Sequence, residues 1–237
     1  MAGAPGHAPE RVLLVGNSRW HWAAPGEGAL RCWHAPPPQA RPEEGWPGLK
    51  AWARVGAVSA HLHLPAEREL RLADVPLQQA PSWLGIDRAL AGWAAWRRHR
   101  AGVLVADAGT ALSLTRVDGA GVFRGGRISA GVALQLRALG QSTALLPSLG
   151  ACSLEVSRDR WPQPTAAAMG WGCLQACAGA IAEAWADVAC DGLGAEQSWA
   201  LWLTGGDGPA LAPLLKQRGL AFHRAPDLCL EALVALA

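Results

Sequence analysis

Four apolar residues, Val12 to Val15, run unbroken into Gly16-Asn17-Ser18, as expected of a buried strand that ends in a tight turn. Arg19 to Ala23 alternates weakly and predicts a returning strand. The proline-rich stretch from Ala35 to Gly48 predicts a loop, and Leu49 to His63 is expected to hold a short helix and then a strand around Ala57 to Leu64. From Ile86 to Arg100, Leu90, Trp93 and Ala94 share one helical face. Asp87 stands in the first turn and Arg97, Arg98 and Arg100 in the last, the charge order that a helix dipole favours, and Gly102 ends the pattern.

A second series follows. Val103 to Ala106 predicts another buried strand, then the turn Asp107-Ala108-Gly109-Thr110, a strand through Leu112 and Leu114, a hairpin at Asp118-Gly119-Ala120-Gly121 and a strand from Val122. Helices are predicted around Ala130 to Leu139 and Thr165 to Ala189. A strand at Ala200 to Leu203 then ends at Thr204-Gly205-Gly206-Asp207, with a helix from about Pro209. Strands alternating with helices define an α/β protein. Gly16-Asn17-Ser18 matches Gly109-Thr110-Ala111 at an offset of 93 residues, 109 minus 16, which predicts an internal duplication. The expected domains are residues 1–101 and 102–237, two similar lobes with a cleft between them.

Composition narrows the function. With 51% hydrophobic residues in 237, the chain can bury a substantial core, and its net charge of +2 is scattered, with no basic stripe for nucleic acid. The amino-terminal tract to Glu10 has no basic segment followed by an apolar run, and no later run suggests a membrane span, so a cytoplasmic location is expected. Cys32, Cys152, Cys173, Cys177, Cys190 and Cys229 form no CxxC pair and read as reduced thiols. Thirteen tryptophans without a tyrosine are expected to fill core and interface.

The glycine turns carry the candidate chemistry. A glycine between two strands lets backbone N–H groups approach an anion, and a neighbouring hydroxyl adds a donor, so Gly16-Asn17-Ser18 and Gly109-Thr110 are candidate phosphate cradles. Either turn alone is more often a plain hairpin. The sequence has no GxxxxGK[ST] loop, no GxGxxG after a strand, no HExxH pair and no GxSxG elbow. In Gly85-Ile86-Asp87-Arg88, the aspartate is a candidate proton acceptor and the arginine a candidate fork for a substrate carboxylate. An aspartate in a first helical turn is more often a capping residue.

Taken in order, these pieces resemble the type III pantothenate kinases. The shared motifs are the GN[ST] turn, Leu84-Gly85-Ile86-Asp87-Arg88, Asp107-Ala108-Gly109-Thr110-Ala111, Gly125-Gly126-Arg127-Ile128-Ser129-Ala130-Gly131, Thr143-Ala144-Leu145-Leu146-Pro147, and Thr165 ahead of Gly170. The resemblance implies the actin-like ATPase or ribonuclease H-like fold and ATP-dependent phosphorylation of pantothenate, an early step of coenzyme A biosynthesis, with magnesium. It implies a homodimer that completes each active site across its interface. It assigns Asp87 as the base and places Gly85, Ile86, Arg88 and Gln78 against pantothenate, with Thr165 reaching substrate held by the other subunit. Gly16, Asn17, Ser18, His21 and Thr110 would contact ATP, and Asp107 a potassium or ammonium ion. Three positions depart from the family pattern: Leu14 stands where an aspartate is usual, His21 where a lysine is common, and Gln78 where a tyrosine is usual. Two other readings follow, a non-catalytic accessory binding protein and a kinase for another small alcohol or acid.

Overall fold

The computed structural model describes residues 9–149, 159–190 and 198–237. The amino-terminal tract through residue 8 and Cys152 lie outside them, as does the side chain of Cys190. The chain forms two compact units, Met1–Ala94 with Asp227–Ala237, and Ala95–Pro226. Expectation put the division near residue 101 and the carboxy terminus with the second half. The division instead falls within helix α1 (Ile86–His99), and the last helix, α5 (Leu228–Leu236), buries Leu228, Leu230 and Leu233 in the first unit.

In the first unit, β1 (Arg11–Val15), β2 (Trp20–Pro25), β3 (Leu30–Ala35) and β4 (Leu49–Arg54) make one sheet in the order β3-β2-β1-β4. β1 is antiparallel to β2 and parallel to β4. Alternation along β1 sends Leu13 and Val15 into a core with Trp20, Trp22, Leu49, Trp52 and Leu62. Here the tryptophan-rich composition finds its use: Trp22 stacks on Trp33 at 6.0 Å and on Trp46 at 6.1 Å, and α5 lies against β1, β2 and β4.

The segment Leu49–Arg54 is a strand, not the expected helix, and residues 57–64 contain a 3-10 turn at Ala60–Leu62 in place of the expected strand. LKAWAR has good helix formers, but pairing of Ala51 with Val12 and Trp52 with Leu13 buries Leu49, Ala51, Trp52 and Ala53, and that tertiary burial outweighs local propensity.

The second unit repeats the plan. β5 (Gly102–Ala108), β6 (Ala111–Val117), β7 (Phe123–Ala130), β8 (Trp199–Thr204) and β9 (His223–Arg224) are ordered β7-β6-β5-β8-β9, antiparallel over the first three and parallel from β5 to β9. Each sheet thus opens with a three-strand meander whose first strand then takes a parallel neighbour. One face of the second sheet, with Leu104, Ala106, Leu112, Leu114, Leu201 and Leu203, is covered by α2 (Val132–Ser142), α3 (Thr165–Cys190) and α4 (Gly208–Gln217). Within α3, Leu174, Ala178 and Ile181 are fully buried at the spacing of one helical face. Cys32, Cys173, Cys177 and Cys229 are free thiols.

Candidate functional site

In the first unit, backbone hydrogen bonds brace the β1–β2 turn. The Gly16 amide donates to the Arg19 carbonyl at 3.0 Å, and the Val55 and Gly56 amides donate to the Val15 carbonyl at 2.8 and 3.2 Å. A Cβ on Gly56 would stand 2.6 Å from the Gly16 oxygen, so only glycine lets the segment after β4 press on the turn. Asn17 and Ser18 are exposed at its tip. His21, on β2, has Nδ1 2.8 Å from Nδ1 of His34, so one ring donates and the other accepts. Burial first, then the neighbouring His34 and Arg19, hold His21 below the usual histidine value against the pull of Asp227. Its imidazole is therefore mostly neutral at neutral pH. Leu14, opposite His21 and Ala53 in the sheet, is 7% exposed.

At the start of α1 the first helical bond runs from the Ala89 amide to the Gly85 carbonyl at 3.1 Å, which puts Gly85 at the N-cap position and Asp87 in the first turn. The Asp87 carboxylate folds back to accept the Arg88 amide at 2.8 Å. A Cβ on Gly85 would lie 2.6 Å from Asp87 Oδ1, so the glycine is what admits the carboxylate there. Arg88 is 8% exposed. Burial pushes its pKa down, Asp87 pushes it back up, and the guanidinium keeps its charge. The Cys229 thiol donates to the Asp87 carbonyl at 3.4 Å.

Beside this turn opens a cavity of about 350 Å³ whose lining includes Arg54, Val55, Glu69, Arg71, Gly85 and Ile86. Glu69 accepts from Arg54 Nε at 2.9 Å and pairs with Arg71 at 3.5 Å. No motif marks Arg54, Glu69 or Arg71, because the segment after β4 and the one before α1 meet only in three dimensions. Gln78 is exposed and does not line this cavity.

In the second unit, three glycine-bearing segments converge on the end of β5. Asp107 lies in register with Ser113 and Thr204. Gly205, at φ +88°, comes so near that a Cβ would be 2.6 Å from Asp107 Oδ1 and 2.3 Å from the Ala108 oxygen. The Asp207 amide donates to that same oxygen at 2.9 Å. From the other side, the Gly131 amide donates to the Thr110 carbonyl at 3.1 Å, and a Cβ on Gly131 would overlap the Gly109 oxygen at 2.0 Å. By contrast, open space surrounds the Cβ positions of Gly109 and Gly206, and Thr110 is exposed. The result is a tightly braced cradle with an open mouth, suited to an anion.

Asp207 closes the Thr204-Gly205-Gly206-Asp207 junction of the sequence, where no role is assigned to the aspartate itself. Burial pushes its carboxyl up and a hydrogen bond from the Val132 amide, at the start of α2, pulls it back. Its one sequence signal is its place after Thr204-Gly205-Gly206. Thr165 is exposed at the first position of α3. Among the described residues, no group of three or more His, Cys, Asp or Glu side chains gathers as a metal site. Nor is any described helix long and apolar enough to cross a membrane.

Two mixed sheets of this order, each with a glycine turn after its first strand, define an α/β protein of the actin-like ATPase fold. Solved structures agree. A Campylobacter jejuni protein assigned to the Baf family of transcriptional activators superposes with a TM-score of 0.60 at 19% identity, covering 95% of this chain and 96% of that one. A Sinorhizobium meliloti protein assigned as a 2-dehydro-3-deoxygalactonokinase gives 0.54 at 16% identity, covering 96% and 98%. Sequence comparison is more specific. The type III pantothenate kinase of Thermosynechococcus vestitus is 40% identical over 209 residues, 86% of this chain and 80% of that protein. That of Synechococcus sp. (strain JA-3-3Ab) is 36% identical over 225 residues, 93% and 88%. The sequence profile of the type III pantothenate kinases matches residues 57–187, and the chain belongs to that family.

Proposed function

We propose that the protein transfers the γ-phosphoryl group of ATP to the primary hydroxyl of pantothenate, giving 4′-phosphopantothenate and ADP. The observation that carries this reading is the Asp87 carboxylate, held beside buried Arg88 and directly after two residues that line a cavity. Pantothenate has a carboxylate at one end and the reacting hydroxyl at the other. The cavity has room for it and guanidinium groups at its wall; Gly85 and Ile86 in the lining and Arg88 beside them are the proposed substrate contacts, while Gln78, outside the lining, would contact pantothenate only beyond this cavity. Asp87 takes the hydroxyl proton as the oxygen attacks phosphorus and the bond to ADP breaks.

The nucleotide is assigned to backbone cradles: Gly16, Asn17, Ser18 and His21 in the first unit, and Thr110 with the Gly109 turn in the second. The open space at Gly109 and Gly206 and the carboxylate oxygens of Asp107 and Asp207 suit phosphates accompanied by hard cations. Asp107 would hold potassium or ammonium, and magnesium bound to ATP would neutralise phosphate charge. A homodimer in the cytoplasm, with Thr165 reaching substrate on the other subunit, belongs to the same proposal.

Buried Leu14, where the family has an aspartate, favours a second reading, a non-catalytic accessory binding protein. One assay separates the two. The purified protein with ATP, millimolar magnesium and pantothenate, with and without potassium or ammonium, is expected to give 4′-phosphopantothenate by mass only when the monovalent cation is present. Folded protein that gives no product under any of these conditions overturns the pantothenate reading and favours the accessory one.

A further inference from the structure

Within the second unit, a cavity of about 180 Å³ opens between the β6–β7 hairpin and α3, and its lining includes Arg116, Arg124, Arg127, Asp187, Leu104 and Leu114. The sheet register makes these arginines unusual. Arg116 pairs with Leu104 and Arg127 with Leu114, so both lie on the sheet face that carries the core under α3, Arg116 half-buried there and Arg127 exposed at its edge. Core-facing positions carry apolar side chains unless a charge has a partner or a use. Three guanidiniums stand against Asp187 in the lining and against Asp118, which pairs with Arg124, leaving a formal charge of +1, three minus two.

The arginines are also held in place. The Arg116 guanidinium lies 4.9 Å over the Trp199 ring. Arg124 Nε donates to Asp118 at 2.7 Å, and Arg127 pairs with Asp187. A guanidinium cannot shed its charge by deprotonation, and its planar fork matches the oxygens of a tetrahedral anion. The volume is below the ~300 Å³ at which pockets for organic ligands begin, and is roughly that of six waters at ~30 Å³ each. That is room for a small oxyanion.

We propose that this cavity binds free inorganic phosphate, at a site distinct from the Gly109-Thr110 turn. On β5, Leu104 precedes Asp107 by three residues, about 10 Å of strand, so the cavity lies toward the opposite end of the sheet from the turn. Asp187 competes with the anion for Arg127, and its carboxylate sets the affinity.

Equilibrium dialysis of labelled orthophosphate against the full chain, at fixed ionic strength and with a non-hydrolysable ATP analogue saturating the nucleotide site, tests the assignment. The expected result is saturable binding at one site per chain, weakened about tenfold or more by Arg116→Gln or Arg127→Gln and tightened several-fold by Asp187→Asn. The Asp187 variant removes no cation, so it keeps the test decisive if an arginine variant misfolds. A purely structural ion pair predicts no gain in affinity from Asp187→Asn, and that outcome overturns the proposal. Phosphate binding abolished by the ATP analogue overturns it as well, since it places the anion at the nucleotide turn.

Discussion

Asp87 and Asp118 are both acidic residues at turns, and their surroundings give them opposite uses. Asp87 accepts only a neighbouring amide among the bonds described above and keeps its carboxylate near a cavity, so Asp87→Asn should lower kcat by ~10²-fold or more with little change in thermal stability. Steady-state kinetics beside a melting curve checks both halves. Asp118, 4% exposed, accepts the Ala120 and Val122 amides at 2.9 and 3.0 Å and Arg124 Nε at 2.7 Å. Burial pushes its carboxyl up, but these donors outweigh burial and hold it below the ordinary value. A depressed folded-state pKa contributes stability that is complete above the unfolded value and lost as pH falls through the folded one. Asp118→Ala should therefore cost about 2–3 kcal/mol in urea unfolding at neutral pH, and the deficit should shrink at pH below the ordinary carboxyl range. Leu14→Asp would put a carboxylate on a strand position 7% exposed and should lower stability by about 1–3 kcal/mol in the same assay.

Among elements, the glycine junctions are the most exacting. A methyl group at residue 131 would overlap the Gly109 oxygen at 2.0 Å, and backbone cannot step aside as a flexible side chain can. Gly131→Ala should thus displace the β5–β6 turn and raise KM for ATP several-fold while leaving KM for pantothenate nearly unchanged, as initial-rate kinetics with each substrate varied will read. These turns were legible in the sequence because strand, glycine and hydroxyl residue occur in fixed order at both Gly16 and Gly109. β4 was not legible: a strand buried on both faces shows no alternation, and LKAWAR resembles a helix until β1 lies beside it. The close approach of Gly205 to Asp107 and of Gly131 to Gly109 was equally hidden, since each joins segments separated in the chain.

Over the whole molecule, the carboxy terminus belongs with the residues that begin the chain. Leu228, Leu230 and Leu233 of α5 are buried in the first unit against a sheet formed some 200 residues earlier. Leu233→Ala should cost about 2–5 kcal/mol, visible as a lower melting temperature. Local pattern by itself determined the α/β class, the paired strand-turn-strand units, the helix carrying Asp87 and Arg88 and the family to which they point, because each is written within a few consecutive residues. Only the tertiary structure decided that Gly85 takes the N-cap position of α1, that Arg54, Glu69 and Arg71 line the cavity beside it, that Asp207 joins the second cradle, and that three arginines share one cavity under α3. Those facts rest on distances between segments remote in sequence, and no spacing along the chain encodes them.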